Sequence, residues 1–157
     1  MPKQEKMDKT NLEIIKKLRL ATGAGIIDCK NAFQEAKGDF AKAKKILEKK
    51  ALKKAKEKIN RPTAQGFIAT YTHSTGKIGA MVEILSETDF VARNEEFRQF
   101  AKEICLQIAA MNPKNLKELL KQEYIRDPAK TINELMKSNI VKFGENIKIG
   151  RFARFEI

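Results

Sequence analysis

The residue types best suited to chemistry lie together in residues 88–94, where the carboxylate of Asp89 stands beside the large aromatic side chain of Phe90. The residues before this stretch are predicted to form a strand and those after it a helix. Corners between elements lie at the surface and often carry function. Two interpretations stay open from these residues alone. Either Asp89 and Phe90 are presented to a partner, or Phe90 and Val91 fold back on the next helix as a hydrophobic staple.

Constellations of catalytic residues are scarce. The single histidine, His73, ends a predicted strand and is assigned a structural or surface role. Gly23-Ala24-Gly25 could suggest a phosphate-binding loop, but a predicted helix precedes it and the GxxxxGK[ST] spacing is absent. We interpret it as a tight turn between helices. With no acidic cluster and no CxxC pair, the sequence predicts no metal site and no cofactor, and a protein that acts by binding and not as an enzyme.

Composition sets the class of protein. The 157 residues allow one domain or two small ones, and the formal net charge is +12. That charge favours an acidic partner (nucleic acid, a membrane surface or an acidic protein), unless the lysines only solvate helix faces. No apolar run of about 20 residues is present. The first ten residues are polar and include Glu5 and Asp8, so we expect a cytoplasmic protein. Cys29 and Cys105 fall in apolar-periodic stretches and are predicted to be reduced core residues.

The fold class is predicted as α+β, beginning with a module of three short helices from Met7 to about Lys50. Thr10 and Glu13 are predicted to form a capping box, Gly23 to end the first helix, and Asp39 to cap the third. The second helix is predicted from Ile26 to Lys37. The apolar faces expected to pack together are Leu12, Ile15 and Leu18; Ile26, Cys29, Phe33 and Ala36; and Phe40, Ala43, Ile46 and Leu47.

The third helix is predicted to continue as a linker that is rich in lysine. Only Glu48 and Glu57 oppose these lysines, which surround the helix and do not line one face as a whole. They are Lys42, Lys44, Lys45, Lys49, Lys50, Lys53, Lys54, Lys56 and Lys58. Arg61-Pro62 ends the helix, because Pro disfavours helix in the residue before it. We place the domain boundary there, between a helical module over residues 1–60 and a core over residues 61–157.

The core is predicted as a three-stranded antiparallel sheet packed with helices. Residues 66–73 and 78–85 form a hairpin, and a last strand over 147–155 joins it, because a hairpin alone is marginal. Alternation in that strand places Ile147, Ile149 and Phe155 on a buried face. Helices are predicted over residues 95–111, with Asn94 as N-cap, and from Asp127-Pro128 to Gly144. A short helix is predicted around Leu116.

Two stretches resemble signatures of the translation elongation factor Ts family. Residues 18–30, LRLATGAGIIDCK, resemble its N-terminal signature, and residues 88–95, TDFVARNE, resemble its second. The hairpin around His73 and Gly76 and the ending from Gly144 to Phe152 fit too. The resemblance therefore covers nearly the whole chain in the right order.

The resemblance implies a guanine-nucleotide exchange factor for elongation factor Tu, able to bind its GDP-bound and nucleotide-free forms. It would disturb the Mg²⁺ and phosphate site, release GDP and then be displaced by GTP. The N-terminal helices would form a UBA-like bundle that docks on the nucleotide domain. The corner residues implied to bind the GTPase are Thr88, Asp89, Phe90, Val91, Arg93 and Asn94. Those implied in the N-terminal module are Leu18, Arg19, Thr22, Gly23, Ala24, Gly25, Asp28 and Cys29.

The chain departs from the longer family members after residues 107–113. Those members carry a further subdomain and a helical protrusion there, whereas Leu116 follows almost at once here. We therefore expect a short form with one core sheet, which could pair with a second copy through the strand over 147–155. The competing interpretation, an RNA- or ribosome-associated protein, fits the net charge of +12. Because no aromatic residues interleave with the lysines, we expect no direct nucleic-acid partner, and no membrane partner either.

Overall fold

The structure is a computed structural model that describes residues 9–157. The chain divides into two compact units, one ending at Lys56 and the other beginning at Glu57. The start of the helical module predicted at Met7 lies outside the described residues. The division falls a few residues before Arg61-Pro62, where the sequence places the domain boundary.

Three helices build the first unit: α1 (Lys9–Thr22), α2 (Ile26–Glu35) and α3 (Phe40–Lys58). Each contributes one apolar stripe to a common core, as their spacing predicts. Asp39 caps α3, since its Oδ1 accepts a hydrogen bond from Lys42 N at 3.0 Å. The buried core residues are Ile15, Leu18, Cys29, Ala32, Phe33, Ala36, Ala43 and Leu47.

Five predictions for this unit are wrong in detail. Leu12 was expected on the buried face of α1, yet it is 42% exposed. Helix α2 ends at Glu35, two residues before the predicted end at Lys37. Thr10 does not cap α1, because the helix already includes Lys9. Ile26 and Phe40 were expected on buried faces, yet they are 55% and 39% exposed. Both residues occupy the first position of their helix, whereas the buried core of α2 begins at Cys29 and that of α3 at Ala43. The apolar stripes are therefore shorter than the periodicity suggests.

The second unit is built around a three-stranded antiparallel sheet in the order β1 (Gln65–Thr72), β2 (Ile78–Ser86) and β5 (Lys148–Glu156). This is the predicted α+β architecture. Helix α5 (Glu95–Met111) buries its apolar stripe, with Phe97, Ile104 and Ile108 fully buried. The remaining elements are α4 (Asp89–Ala92), α6 (Leu116–Lys121), β3 (Glu123–Tyr124), β4 (Asp127–Thr131) and α7 (Ile132–Phe143).

The prediction of a helix from Asp127-Pro128 is wrong. These residues begin β4, which pairs with β3, and α7 begins only at Ile132. Thr131 and Glu134 form a capping box there: Thr131 Oγ1 accepts from Glu134 N at 3.2 Å, and Glu134 Oε2 accepts from Thr131 N at 2.8 Å. This pair satisfies the backbone N–H groups of Thr131 and Glu134 at the start of α7. Gly144 ends α7 with φ 70°, as predicted.

A β-bulge reverses the predicted face of Phe155. Val82 pairs with Phe152 and Ile84 with Ile149, so two residues of β5 oppose the single residue Glu83. The extra residue inverts the alternation beyond it. Ile149 is therefore buried as predicted, but Phe155 is 77% exposed.

Candidate functional site

The corner that follows β2 is framed by two helix caps. Thr88 has an extended backbone, and its Oγ1 accepts a hydrogen bond from Val91 N at 3.3 Å, which begins the four-residue helix α4. Asn94 Oδ1 accepts from Glu96 N at 2.8 Å and from Phe97 N at 3.3 Å, which begins α5 as predicted. Helix α4 itself was not predicted. The caps fix the backbone on both sides of Asp89 and Phe90.

Helix α4 buries the two residues that follow Phe90 and exposes Phe90 itself. Val91 and Ala92 are buried, whereas Phe90 is 86% exposed. The staple interpretation is therefore wrong for Phe90, whose ring does not fold back on the helix. Exposing a Phe side chain to water forgoes about 1.5–3 kcal/mol of burial free energy, so this position does not serve the stability of the unit.

Two charged residues of the corner, Asp89 and Arg93, pair with each other. Arg93 Nε lies 2.7 Å from Asp89 Oδ2, one helical turn away, and both side chains are more than half exposed. Exposed ion pairs of this kind contribute little free energy. The Asp89 carboxylate can therefore exchange Arg93 for another donor at small cost.

The base of the corner is held by Glu145, in the loop before β5. Its Oε2 accepts hydrogen bonds from Glu87 N and Thr88 N, both at 3.0 Å, and its Oε1 accepts from the Thr88 hydroxyl. In return, Glu87 Oε1 accepts from Asn146 N at 2.6 Å. We call these four residues the clamp. It joins the corner to the loop before β5 through charge-assisted hydrogen bonds.

Asn146 extends the clamp to the segment after α3. The side chain is fully buried, and its Nδ2 donates to Ile59 O at 3.2 Å and to Arg61 O at 2.7 Å. Within the described residues its Oδ1 has no hydrogen-bond partner. Neither Glu145 nor Asn146 was singled out as a site residue from the sequence, because contacts between residues 57 or more positions apart leave no local signal.

The N-terminal signature forms the turn between α1 and α2. Thr22 Oγ1 donates to Leu18 O at 2.7 Å and accepts from Ala24 N at 3.3 Å, and Gly23 adopts φ 69°. Gly25 is the residue before α2. The turn is thus held by Thr22 and made possible by a glycine with positive φ.

Four other signature residues divide between core and surface. Leu18 and Cys29 are fully buried and belong to the core of the first unit. Burial raises the pKa of the Cys29 thiol, which stays protonated with Sγ 3.7 Å from Ala24 O. Arg19 is exposed, and Asp28 pairs with Lys54 at 2.9 Å.

Apolar side chains flank this turn in the solvent. Leu20 is 87%, Ile27 74% and Ile26 55% exposed. The three residues lie within the resembling stretch but were not selected as site residues. The sequence contains a signal for two of them. Leu20 and Ile27 lie outside the apolar stripes of α1 and α2, so the helical periodicity predicts that they are not core residues. We call Leu20, Ile26 and Ile27 the apolar turn edge.

Several site types are not found in residues 9–157. No group of three or more His, Cys, Asp or Glu side chains is placed to hold a metal ion. Cys29 and Cys105 are free and buried, as predicted. No helix in this part of the chain has the length and apolar composition needed to span a bilayer.

Comparison with known proteins gives one family. Residues 87–157 match the family model described as elongation factor TS. Elongation factor Ts of Caldanaerobacter subterraneus subsp. tengcongensis is 42% identical over 189 aligned positions, covering 92% of this chain and 94% of that protein. Elongation factor Ts of Leptospira biflexa is 40% identical over 190 positions, covering 92% and 96%.

The matched relatives are longer than this chain. The alignments of 189 and 190 positions exceed its 157 residues, so those relatives carry insertions that it lacks. Elongation factor Ts of Aquifex aeolicus is 46% identical over 151 positions, covering 93% of this chain but 52% of that protein. These matches span the first unit, the corner and the sheet together, and the chain therefore belongs to the elongation factor Ts family.

Proposed function

We propose that this chain is a guanine-nucleotide exchange factor for elongation factor Tu and that Phe90 is its wedge. The observation that carries the proposal is the contrast within α4: Phe90 is 86% exposed, while its neighbours Val91 and Ala92 are buried. A large apolar ring on a rigidly capped turn is available to a partner without any rearrangement of the fold. Family membership supports elongation factor Tu as that partner.

The corner would act on the Mg²⁺ and phosphate site of the GTPase. Mg²⁺ requires near-octahedral geometry and bridges phosphate oxygens, so a displacement of its ligands weakens both metal and nucleotide. Phe90 would insert into an apolar cleft beside that site. Asp89 would leave Arg93 and place its charge against the switch elements of the partner. No covalent bond forms or breaks, and exchange requires no cofactor bound to this chain.

The affinity of the wedge must be limited. If this chain binds the nucleotide-free GTPase more tightly than the GDP-bound form, GDP must weaken the binding of the chain by the same ratio of affinities. GTP can then displace the factor at the end of the cycle. The exposed Phe90 ring and the weak Asp89–Arg93 ion pair are consistent with a contact that forms and dissociates readily.

The first unit would supply the docking contact. The apolar turn edge presents Leu20, Ile26 and Ile27 at the signature turn, where the family resemblance places the contact with the nucleotide domain. Burying such side chains against a partner contributes free energy that they do not contribute in the free protein.

The test is the release of fluorescent GDP from elongation factor Tu with increasing amounts of this chain. We expect the wild type to accelerate GDP release. The acceleration by Phe90→Ala should be smaller by about tenfold or more, which corresponds to about 1.4 kcal/mol. Asp89→Asn should lose less, because an exposed ion pair is worth little. Both variants should unfold at the wild-type urea concentration, since neither side chain is buried.

Met111→Ala is the matched control. It removes another exposed apolar side chain, 47% exposed, at the opposite end of α5, about 26 Å along the helix from Asn94. Its exchange activity should equal that of the wild type. No acceleration by the wild type at any concentration would overturn the proposed function, and full activity of Phe90→Ala would overturn the assignment of the wedge.

We also propose that two copies can pair through β5. It is an edge strand of the sheet, and Phe155 on its exposed face adds apolar surface. Light scattering across a concentration series measures the mass directly. A mass of about 18 kDa (17.9 kDa for one chain) at every concentration would exclude the pairing.

A further inference from the structure

The positive charge of the chain is concentrated in the first unit. Residues 9–56 contain fourteen lysines and arginines against five acidic residues, a formal charge of +9 out of the total of +12. Residues 57–157 contain sixteen against thirteen, or +3. A general requirement for solubility would not place three quarters of the net charge on a third of the chain.

The structure sorts the lysines of α3 into two groups. Lys44 pairs with Glu48 at 4.0 Å, Lys50 with Glu35 at 3.5 Å and Lys54 with Asp28 at 2.9 Å. Lys42 pairs with Asp39 at 3.8 Å. The other five lysines make no ion pair within the part of the chain that is described. Lys58 is half-buried, and the four exposed ones, which we call the lysine stripe, are Lys45, Lys49, Lys53 and Lys56.

The lysine stripe occupies one face of the helix. Its members are spaced by four, four and three residues, which places them within a sector of about 80° over about 16 Å of helix axis. Ala43 and Leu47, on the opposite face of α3, are buried in the core of the unit. The nine lysines together surround the helix, but these four form a continuous row of cations with no carboxylate among them.

The chemistry of the stripe selects its partner. Lysines bind phosphate groups as point charges. A row of them therefore recognises the charge of a phosphate backbone and not the identity of the bases. Residues 41–58 contain no aromatic side chain, which binding of single-stranded nucleic acid by base stacking requires. The buried apolar face of α3 is not available for insertion into a bilayer. The lack of aromatic residues, from which the sequence predicts no nucleic-acid partner, argues against base stacking but not against contacts to backbone phosphates. We therefore propose that the lysine stripe binds the phosphate backbone of duplex RNA independently of sequence.

The test is the binding of a fluorescein-labelled 24-base-pair RNA duplex of arbitrary sequence to the full chain. Four phosphate contacts predict a slope of about −3 to −4 for the logarithm of the binding constant against that of salt concentration, or about a hundredfold loss between 50 and 200 mM. Replacing all four lysines by Gln should weaken binding at least about tenfold and flatten the slope. Gln has nearly the helix propensity of Lys, so α3 should persist.

The control removes the same charge elsewhere. This variant replaces four exposed lysines of the second unit by Gln: Lys77, Lys102, Lys117 and Lys121. It should weaken RNA binding less than about threefold. Equal losses in the two variants, or no duplex binding at 50 mM salt, would overturn the proposal. So would tighter binding to vesicles containing phosphatidylserine than to RNA. Loss of elongation factor Tu binding in the stripe variant with RNA binding intact would assign the stripe to an acidic protein surface instead.

Discussion

Glu145 holds Thr88 at both backbone and side chain: its Oε2 accepts from Thr88 N at 3.0 Å, and its Oε1 accepts from Thr88 Oγ1 at 2.5 Å. The same threonine caps α4, through the hydrogen bond that its hydroxyl oxygen accepts from Val91 N. The residue that starts the corner helix is therefore oriented by a carboxylate 57 positions later in the chain. The orientation of Phe90 depends on this long-range contact.

Glu145→Gln should loosen the corner without unfolding the unit. A glutamine offers one acceptor oxygen where the carboxylate offers two, and its amide group cannot accept from Thr88. We expect a loss of about 1–2 kcal/mol in the free energy of unfolding, measured by urea denaturation. Hydrogen exchange at the Val91 amide should accelerate more than at amides in the middle of α5.

Glu123→Gln is the control for this change. Glu123 is an exposed residue of β3, and its substitution should leave both unfolding and amide exchange unchanged. If Glu145→Gln unfolds like the wild type and the Val91 amide exchanges at the wild-type rate, the clamp does not hold the corner.

Asn146→Asp should destabilise the second unit strongly. The side-chain amide donates to the carbonyl oxygens of Ile59 and Arg61, and a buried carboxylate would face both of them. Removing one partner of a buried polar contact and adding a charge costs about 3 kcal/mol or more. The measurement is urea denaturation at pH 7.

The pH dependence of this variant distinguishes charge from packing. Burial would raise the pKa of the new carboxyl above its unfolded value of about 3.9. Stability would then be greatest below that value and fall as the pH rises through the folded-state pKa. Asn133→Asp, on an exposed position of α7, should show neither effect. A loss at Asn146→Asp that stays the same from pH 4 to pH 7 would contradict the prediction.

The apolar turn edge should determine affinity and not stability. Changing Leu20 and Ile27 together to Ser removes side chains that are 87% and 74% exposed, so the free energy of unfolding should change by less than about 0.5 kcal/mol per site. If both side chains are buried against elongation factor Tu, the dissociation constant should rise at least about tenfold. Isothermal titration calorimetry measures it.

Leu12→Ser is the matched control on α1, where Leu12 is 42% exposed and lies outside the signature. It should bind as the wild type does. Unchanged affinity of the Leu20 and Ile27 variant would place the docking contact elsewhere in the chain.

Local signals predicted the elements on both sides of the corner. The helix over residues 95–111 was predicted with its cap because Asn94 precedes two glutamates and an apolar stripe of period 3.6. The Thr131–Glu134 capping box carries the same kind of signal and begins α7, whereas Pro128 lies in the preceding strand β4. In both cases side chains able to accept from the first N–H groups mark the helix start, whereas the same pattern at Thr10 and Glu13 does not, because α1 already includes Lys9.

Long-range features could not be predicted. The bulge in β5 depends on Glu83 of β2, whose carboxylate accepts from Arg151 N at 2.9 Å, and one added residue reverses every later side chain. Arg154 consequently faces α5 and donates to Ala109 O at 2.8 Å. The clamp at Glu145 is of the same kind. Such contacts depend on which segments meet, and that is decided by the whole sheet and not by neighbours in sequence.

Cys105 should make the second unit sensitive to alkaline pH. Its thiol is fully buried, with Sγ 3.3 Å from Ala80 O and 3.6 Å from Ala69 O. Burial raises the pKa of the Cys105 thiol from 9.0 to about 11. The neutral thiol is therefore favoured by folding, and the stability it supports is complete below pH 9 and lost as the pH rises through about 11.

Comparison with Cys105→Ala isolates this effect from the other alkaline titrations. The variant leaves a small cavity and should be less stable by about 1 kcal/mol at pH 8. Because it has no thiol to ionise, that deficit should shrink by roughly 1–2 kcal/mol, and could reverse in sign, between pH 9 and pH 11. Urea denaturation of both proteins across this range measures the difference. Curves that stay parallel from pH 8 to pH 11 would show that the Cys105 thiol does not titrate in the folded unit, and that the alkaline loss of stability comes from other groups.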